Sequence, residues 1–265
     1  SVALAMAGVT FETKTNGDDL GNTVSFAGST GAVTYTVGDL AYSSDSDDVI
    51  TGGAGSDTLS IDVEADDHSF TMSGFETITI TDSNAGSMDL ENTTGYTTIT
   101  ADGVTTGDLT VSNVATGTTL AVSVEGTATL NIDGATAGST LSVTLDDTAA
   151  GVYEGGDTLD IGAEFTTVNF AIDEDDSDVD DITAVFDAAS ALTVNITGDD
   201  STDDDLTLAF TIADTATNVA INAAVEVTMS TVADTLEDDI TLTFAGSTDV
   251  VNLTVLDTQM AESDS

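Results

Sequence analysis

An all-β fold is what this sequence predicts, with a β-solenoid as the favoured form. Three observations carry that expectation. Apolar and polar residues alternate with period two in segment after segment rich in Thr, Val and Ile, the pattern of strands with one buried face. The connections carry Gly, Asp, Asn and Ser, as turns do, and the chain has no Pro. In the middle, Leu109, Leu120, Leu130 and Leu141 follow one another at intervals of eleven, ten and eleven residues. A repeat near 21 residues per two strands suits coils stacked so that like residues form ladders. Antiparallel sandwiches also turn every ~8–12 residues, so tandem antiparallel β-sandwich domains are the alternative on spacing alone.

Taken in order, residues 2–7 form the longest apolar stretch, far short of the ~20 residues that cross a bilayer, so no membrane insertion is expected. Ala5-Met6-Ala7 matches the small-residue site that ends a secretory signal. As a strand, the same segment would pack into its own domain or dock on a neighbouring subunit. Strands are predicted at 58–63, 76–80, 129–132 and 140–145 from their Thr, Leu, Ile and Val alternation. The acidic run from Asp173 to Asp181 divides a β-repeat domain, residues 1–172, from a second β domain, residues 173–265. Beyond it, 184–191 hints at a helical turn, and strands follow at 192–196, 206–212, 240–244 and 252–256.

Charge sets the functional class. Lys14 is the only Lys or Arg against 49 acids, a formal charge of -48, yet 40% of residues are hydrophobic. Disorder requires low hydrophobicity as well as high charge, so the chain is expected to fold. Its surface of roughly 11,000 Å² would hold evenly spread charges ~15 Å apart, beyond the ~8 Å screening length. Clusters such as Asp203-Asp204-Asp205 defeat that spacing and call for external cations. Nucleic acid and anionic membrane need a Lys/Arg footprint that this chain lacks, so neither is an expected partner. Without Cys there is no disulfide framework, and stability must come from the core and any bound ions.

The sharpest motif is Gly52-Gly-Ala-Gly-Ser-Asp-Thr-Leu-Ser60, a full match to the nonapeptide G-G-x-G-x-D-x-U-x, in which U is a large apolar residue. Glycines permit a tight turn whose carbonyls face an ion, Asp57 supplies a carboxylate, and Leu59 turns into the core. Nine residues earlier, Asp48 and Ile50 occupy the places of Asp57 and Leu59 in a degenerate copy spanning 43–51. The calcium ligands expected here are Asp45, Asp47, Asp48, Gly53, Gly55 and Asp57; an ordinary glycine-rich turn is the alternative. A second oxygen-rich cluster holds Asp176, Asp178, Asp180 and Asp181. It imitates the first ligands of a helix-loop-helix calcium site but lacks its turn Gly and its final Glu. Asp199, Asp203 and Asp205, and Asp238 and Asp239, form further clusters that each lead into a strand. Carboxylate oxygens without His or Cys favour Ca2+ or Mg2+ over softer metals.

On the nonapeptide, the near absence of Lys, Arg and Cys, and strands of the form Gly74-Phe-Glu-Thr-Ile-Thr-Ile80, the chain resembles bacterial surface-layer (S-layer) proteins of the calcium-binding RTX-nonapeptide type. The similar stretch is mostly residues 43–172, and only the nonapeptide is specific. The resemblance implies a β-solenoid, calcium-driven lattice assembly and secretion to the cell surface. The single good nonapeptide copy departs from the family pattern.

Catalysis is not expected. A polysaccharide lyase needs Arg or Lys at the uronate, and a glycosidase needs aromatic sugar platforms as well as paired carboxylates; this chain has one Lys, no Arg and no Trp. His68, the single His, stands beside Asp66 and Asp67 and is expected at the surface. Asn92, Asn195 and Asn252 begin Asn-x-Thr sequons, candidate glycan acceptors. The expected function is a secreted, extracellular structural subunit that self-assembles with calcium bridging into a surface layer or filament, as a homo-oligomer or polymer. A cell-surface glycan is a further partner class. The alternative is a calcium-stabilised, non-polymerising adhesin or binding module of a larger surface protein.

Overall fold

The computed structural model describes residues 9–12, 23–37, 49–63, 67–83, 85–102, 107–123, 129–146, 158–173, 183–186, 191–198, 206–210, 218–223, 227–231, 241–245 and 251–254. Among them every element is a strand, and every strand pairing is parallel. Successive strands do not pair with each other; each pairs with the strand one coil earlier and one coil later, which defines a β-solenoid and excludes antiparallel sandwiches.

Three parallel sheets form the walls, with 11, 9 and 4 strands. The described strands before Thr58 lie in the long and four-stranded sheets, and the two coils that begin at Thr58 and Thr77 visit all three. Thr58–Val63 lies in the long sheet, Asp67–Ser69 in the nine-stranded sheet and Thr71–Ser73 in the four-stranded one, before Thr77–Ser83 returns to the long sheet. The four-stranded sheet ends at Thr93–Thr94, and from Thr98–Asp102 onward the chain alternates between the two larger sheets. From these coils onward the cross-section therefore passes from three walls to two.

Where the third wall stops, tight turns replace it. Thr118 Oγ1 donates to Ala115 O at 2.8 Å and Ser139 Oγ donates to Thr136 O at 2.6 Å. Gly117 and Gly138 sit at φ of 83° and 88° in these turns, left-handed conformations that glycine adopts without a Cβ clash. Burial of the two hydroxyl side chains is tolerable because each satisfies its own corner.

Inside, the alternation read from sequence becomes ladders. Leu59, Ile78 and Ile99 are register neighbours in the long sheet, and Leu109 and Leu130 in the nine-stranded one. All five are at most 1% exposed, and burial of such a side chain contributes ~1.5–3 kcal/mol. Both ladders run across residue 173, through Phe170↔Ile196 and Leu159↔Ala184. Coil length changes along the way: side-chain bonds between adjacent rungs join residues 21 apart at Thr97 and Glu76 but 26 and 27 apart at Asn195 and Asn222.

Two expectations need correction. The helical turn is absent from 183–186, which is the strand Thr183–Phe186 with Ala184 and Phe186 buried; its alternation points alternate residues inward, and pairing with both neighbouring rungs overrides local helix preference. His68 is buried, at 1% exposure, in the strand Asp67–Ser69. Period two places it on the inward side with Phe70 and Met72, so strand phase outweighs the two aspartates before it.

Candidate functional site

The nonapeptide forms the corner between Val49–Thr51 of the four-stranded sheet and Thr58–Val63 of the long sheet. Ile50 pairs with Val24 and Met72, whereas Leu59 pairs with Tyr35 and Ile78. The two apolar anchors of the repeated motif therefore belong to different walls, with Gly52 to Asp57 turning between them.

Asp57 organises this corner. It is fully buried. One carboxylate oxygen accepts the Gly53 N–H at 2.5 Å, within its own turn, and the other accepts the Val33 N–H at 2.8 Å, from the preceding coil. Its own N–H donates to Glu76 Oε2 at 2.7 Å, and its carbonyl accepts from Glu76 and Thr77, in the following coil. A single aspartate thus links three consecutive coils, and charge-assisted bonds of this kind are roughly twice as strong as neutral ones.

The glycines have equally direct reasons. A Cβ on Gly52 would lie 1.7 Å from Gly74 O, one on Gly53 2.8 Å from Ser29 O, and one on Gly55 2.9 Å from the Gly31 carbonyl. Backbone stacks on backbone here. Gly52 N donates to Ser73 O at 2.7 Å and Ala54 N to Ser29 O at 2.9 Å, which holds the coils together. Phe26 closes the corner from inside, tilted on Tyr35 with centroids 5.4 Å apart and edge-on to Phe75 at 6.3 Å.

Tested against a calcium ion, the described part of the corner presents two carboxylates, and both oxygens of Asp57 and Oε2 of Glu76 accept backbone N–H groups. No group of three or more His, Cys, Asp or Glu placed to hold a metal occurs among the described residues. Asp45, Asp47 and Asp48 lie outside the described residues, as do Asp176, Asp178, Asp180, Asp181, Asp199, Asp203, Asp205, Asp238 and Asp239. Gly53, Gly55 and Asp57 are brought together, as structural members of one corner.

A second corner, not anticipated from sequence, is built on Tyr96. Its hydroxyl accepts the Ala115 N–H at 2.8 Å and is hydrogen-bonded to the Thr93 and Thr118 side chains. Burial pushes its pKa above the ordinary 10.0, the hydrogen bonds opposing that shift.

The outer faces of the two large sheets are built from columns of like residues. On the long sheet, the register stacks Thr34, Thr58, Thr77, Thr98 and Thr119 in one column, which continues as Ser142, Asn169, Asn195 and Asn222. The asparagines bond in series: Asn195 Nδ2 donates to Asn169 Oδ1 at 2.7 Å, and Asn222 Nδ2 to Asn195 Oδ1 at 2.8 Å. A parallel column holds Thr36, Ser60, Thr79, Thr100, Ala121, Thr144 and Ala171. Neither column carries a charge over these rungs, but the next register position of the same parity is acidic on most of them, at Asp62, Asp102, Asp146 and Asp173. The nine-stranded sheet has half-buried Asp89, Asp133 and Asp160 on its outer side. The Thr-x-Thr triplets at 34–36, 77–79 and 98–100 are the sequence signal for the two threonine-rich columns, once the register is known. No protein-family model, curated protein or solved structure matches this chain.

Proposed function

We propose that the protein is a structural subunit of an extracellular assembly, a surface layer or filament, in which calcium ions bridge acidic segments of neighbouring copies. The observation that carries this reading is a rigid parallel solenoid bearing 49 acids and one Lys. Such a body has almost no cations of its own with which to neutralise a neighbour, and its densest acidic runs are 173–181 and 199–205. Oxygen-rich segments with this composition suit a hard divalent cation. The resemblance to calcium-dependent surface-layer proteins points the same way. A solenoid also suits a scaffold because each coil needs only its neighbours, so length is added without redesign of the core.

Calcium would act here between copies, through the acidic segments, with Asp57 holding the corner of its own copy. The test is particle size by light scattering and electron microscopy, with calcium and then with excess EGTA. Polymers that form with calcium and dissolve in EGTA support the reading. A species that stays monomeric in calcium and only loses thermal stability in EGTA favours the adhesin or binding module, and polymers indifferent to EGTA overturn calcium bridging.

A further inference from the structure

We propose that the paired columns of hydroxyl side chains on the outer wall of the long sheet bind the surface of ice. The inference goes beyond the reading of the chain as a calcium-bridged subunit and uses neither calcium nor the acids. Register sets the geometry. Over six consecutive rungs, from Thr34 and Thr36 to Ser142 and Thr144, the two columns hold nine Thr, two Ser and one Ala. These side chains stand half-buried or exposed along the wall, whereas the buried hydroxyls of Thr93, Thr118 and Ser139 close corners of their own coils. Pairing passes through the two columns without a slip; the register shift between the second and third of these rungs falls after Asp62, beyond them.

A parallel sheet spaces its rungs ~4.8 Å apart and same-face residues along a strand ~6.7 Å apart. Both repeats come close to those of the oxygen rows on a prism face of hexagonal ice, so the grid can meet ordered water rung after rung. Liquid water offers no such fixed rows. The grid is also prepared for contact, because each rung is held by its neighbours and β-branched Thr has restricted χ1 rotation, so little freedom is lost on adsorption. Each contact is weak, and repetition along one rigid wall adds them.

Charge and size select the same occupant. The next register positions, Asp62, Asp102 and Asp146, put acids beside the strip, and like charge there disfavours a polyanion or a second copy. Ice is neutral. Between its outermost positions the strip spans about 24 Å by ~7 Å, far below the ~800 Å² that each partner contributes to a standard protein interface. A lattice that matches it rung by rung does not need that area.

Uptake of the full chain into slowly grown ice, in excess EGTA and at fixed salt, tests the proposal. The parent should enter the ice. Thr79→Tyr/Thr100→Tyr raises two rings in the middle of the grid and should cut the incorporated fraction by at least roughly tenfold, because contacts on either side are lost together. Thr144→Tyr obstructs the last rung and should lower uptake less, while Thr158→Tyr, on the nine-stranded sheet, should leave it unchanged. Circular dichroism of each variant separates a lost site from a lost fold.

Uptake of the parent with rejection of the folded Thr79→Tyr/Thr100→Tyr variant supports the site, whether or not calcium polymerises the chain. A parent excluded from ice, uptake indifferent to the grid variants, or equal loss with Thr158→Tyr overturns it. So does retention on a neutral crystalline polysaccharide with exclusion from ice.

Discussion

At the scale of single residues, two positions show how closely the coils are fitted. Gly52 has the Gly74 carbonyl where its own Cβ would be, at 1.7 Å, whereas a Cβ on Gly28 would meet nothing within 4 Å. Gly52→Ala must therefore push two stacked backbones apart. We expect it to destabilise by about 3 kcal/mol or more, while Gly28→Ala stays within ~0.5 kcal/mol, read from urea unfolding midpoints. Tyr96 makes the second case. Its pKa is raised by burial, so above pH ~10 the unfolded chain releases a proton that the folded chain retains, and stability falls as pH rises through that window. Below pH ~10 both states hold the proton and the contribution is constant. Tyr96→Phe should cost ~1–3 kcal/mol at neutral pH, because the Ala115 N–H loses its acceptor. It should also flatten the decline above pH ~10, and an unchanged slope would remove Tyr96 as the source.

At the scale of elements, stability resides in ladders, and the asparagine ladder is the one most open to test. Asn195 both donates to Asn169 and accepts from Asn222, so Asn195→Ala breaks two bonds and should cost about 1–2 kcal/mol. The same geometry sorts the sequons. Asn92 is exposed in the turn that ends at Thr93, whereas a glycan on Asn195 would displace its neighbours. Peptide mapping of material from a glycosylating host should find sugar on Asn92 and none on Asn195. The strands themselves were largely legible, because period-two alternation of Thr with Leu, Ile and Val survives unchanged from sequence to ladder. The 21-residue interval from Leu109 to Leu130 is a register pair. The interval from Leu120 to Leu141 is not, since Leu120 pairs with Val143: coils lengthen there, and the regular spacing fades although stacking continues. Asp57 was legible as a motif but not in its role, since its partners Val33 and Glu76 lie 24 and 19 residues away on other coils. The threonine and asparagine columns were hidden for the same reason. Adjacent outward threonines are a full coil apart in the chain.

At the scale of the whole molecule, the balance is between a continuous apolar core and the mutual repulsion of its carboxylates. The core gains stability coil by coil through nearest neighbours, while net charge this far from zero works against the compact state at every coil. Any salt relieves that repulsion by screening, and the relief depends on ionic strength alone. A cation coordinated by several carboxylate oxygens adds binding energy to the folded form only, and shifts stability by mass action at concentrations too low to screen. The two contributions separate when thermal midpoints are compared in CaCl2 and NaCl at equal ionic strength. We expect CaCl2 to raise the midpoint beyond NaCl, with the excess saturating as sites fill, and MgCl2 to give less, since Mg2+ demands a tighter octahedral shell and dehydrates reluctantly. Coincident curves for the three salts would mean that the acidic segments are screened and not coordinated, and calcium bridging would then lose its physical basis.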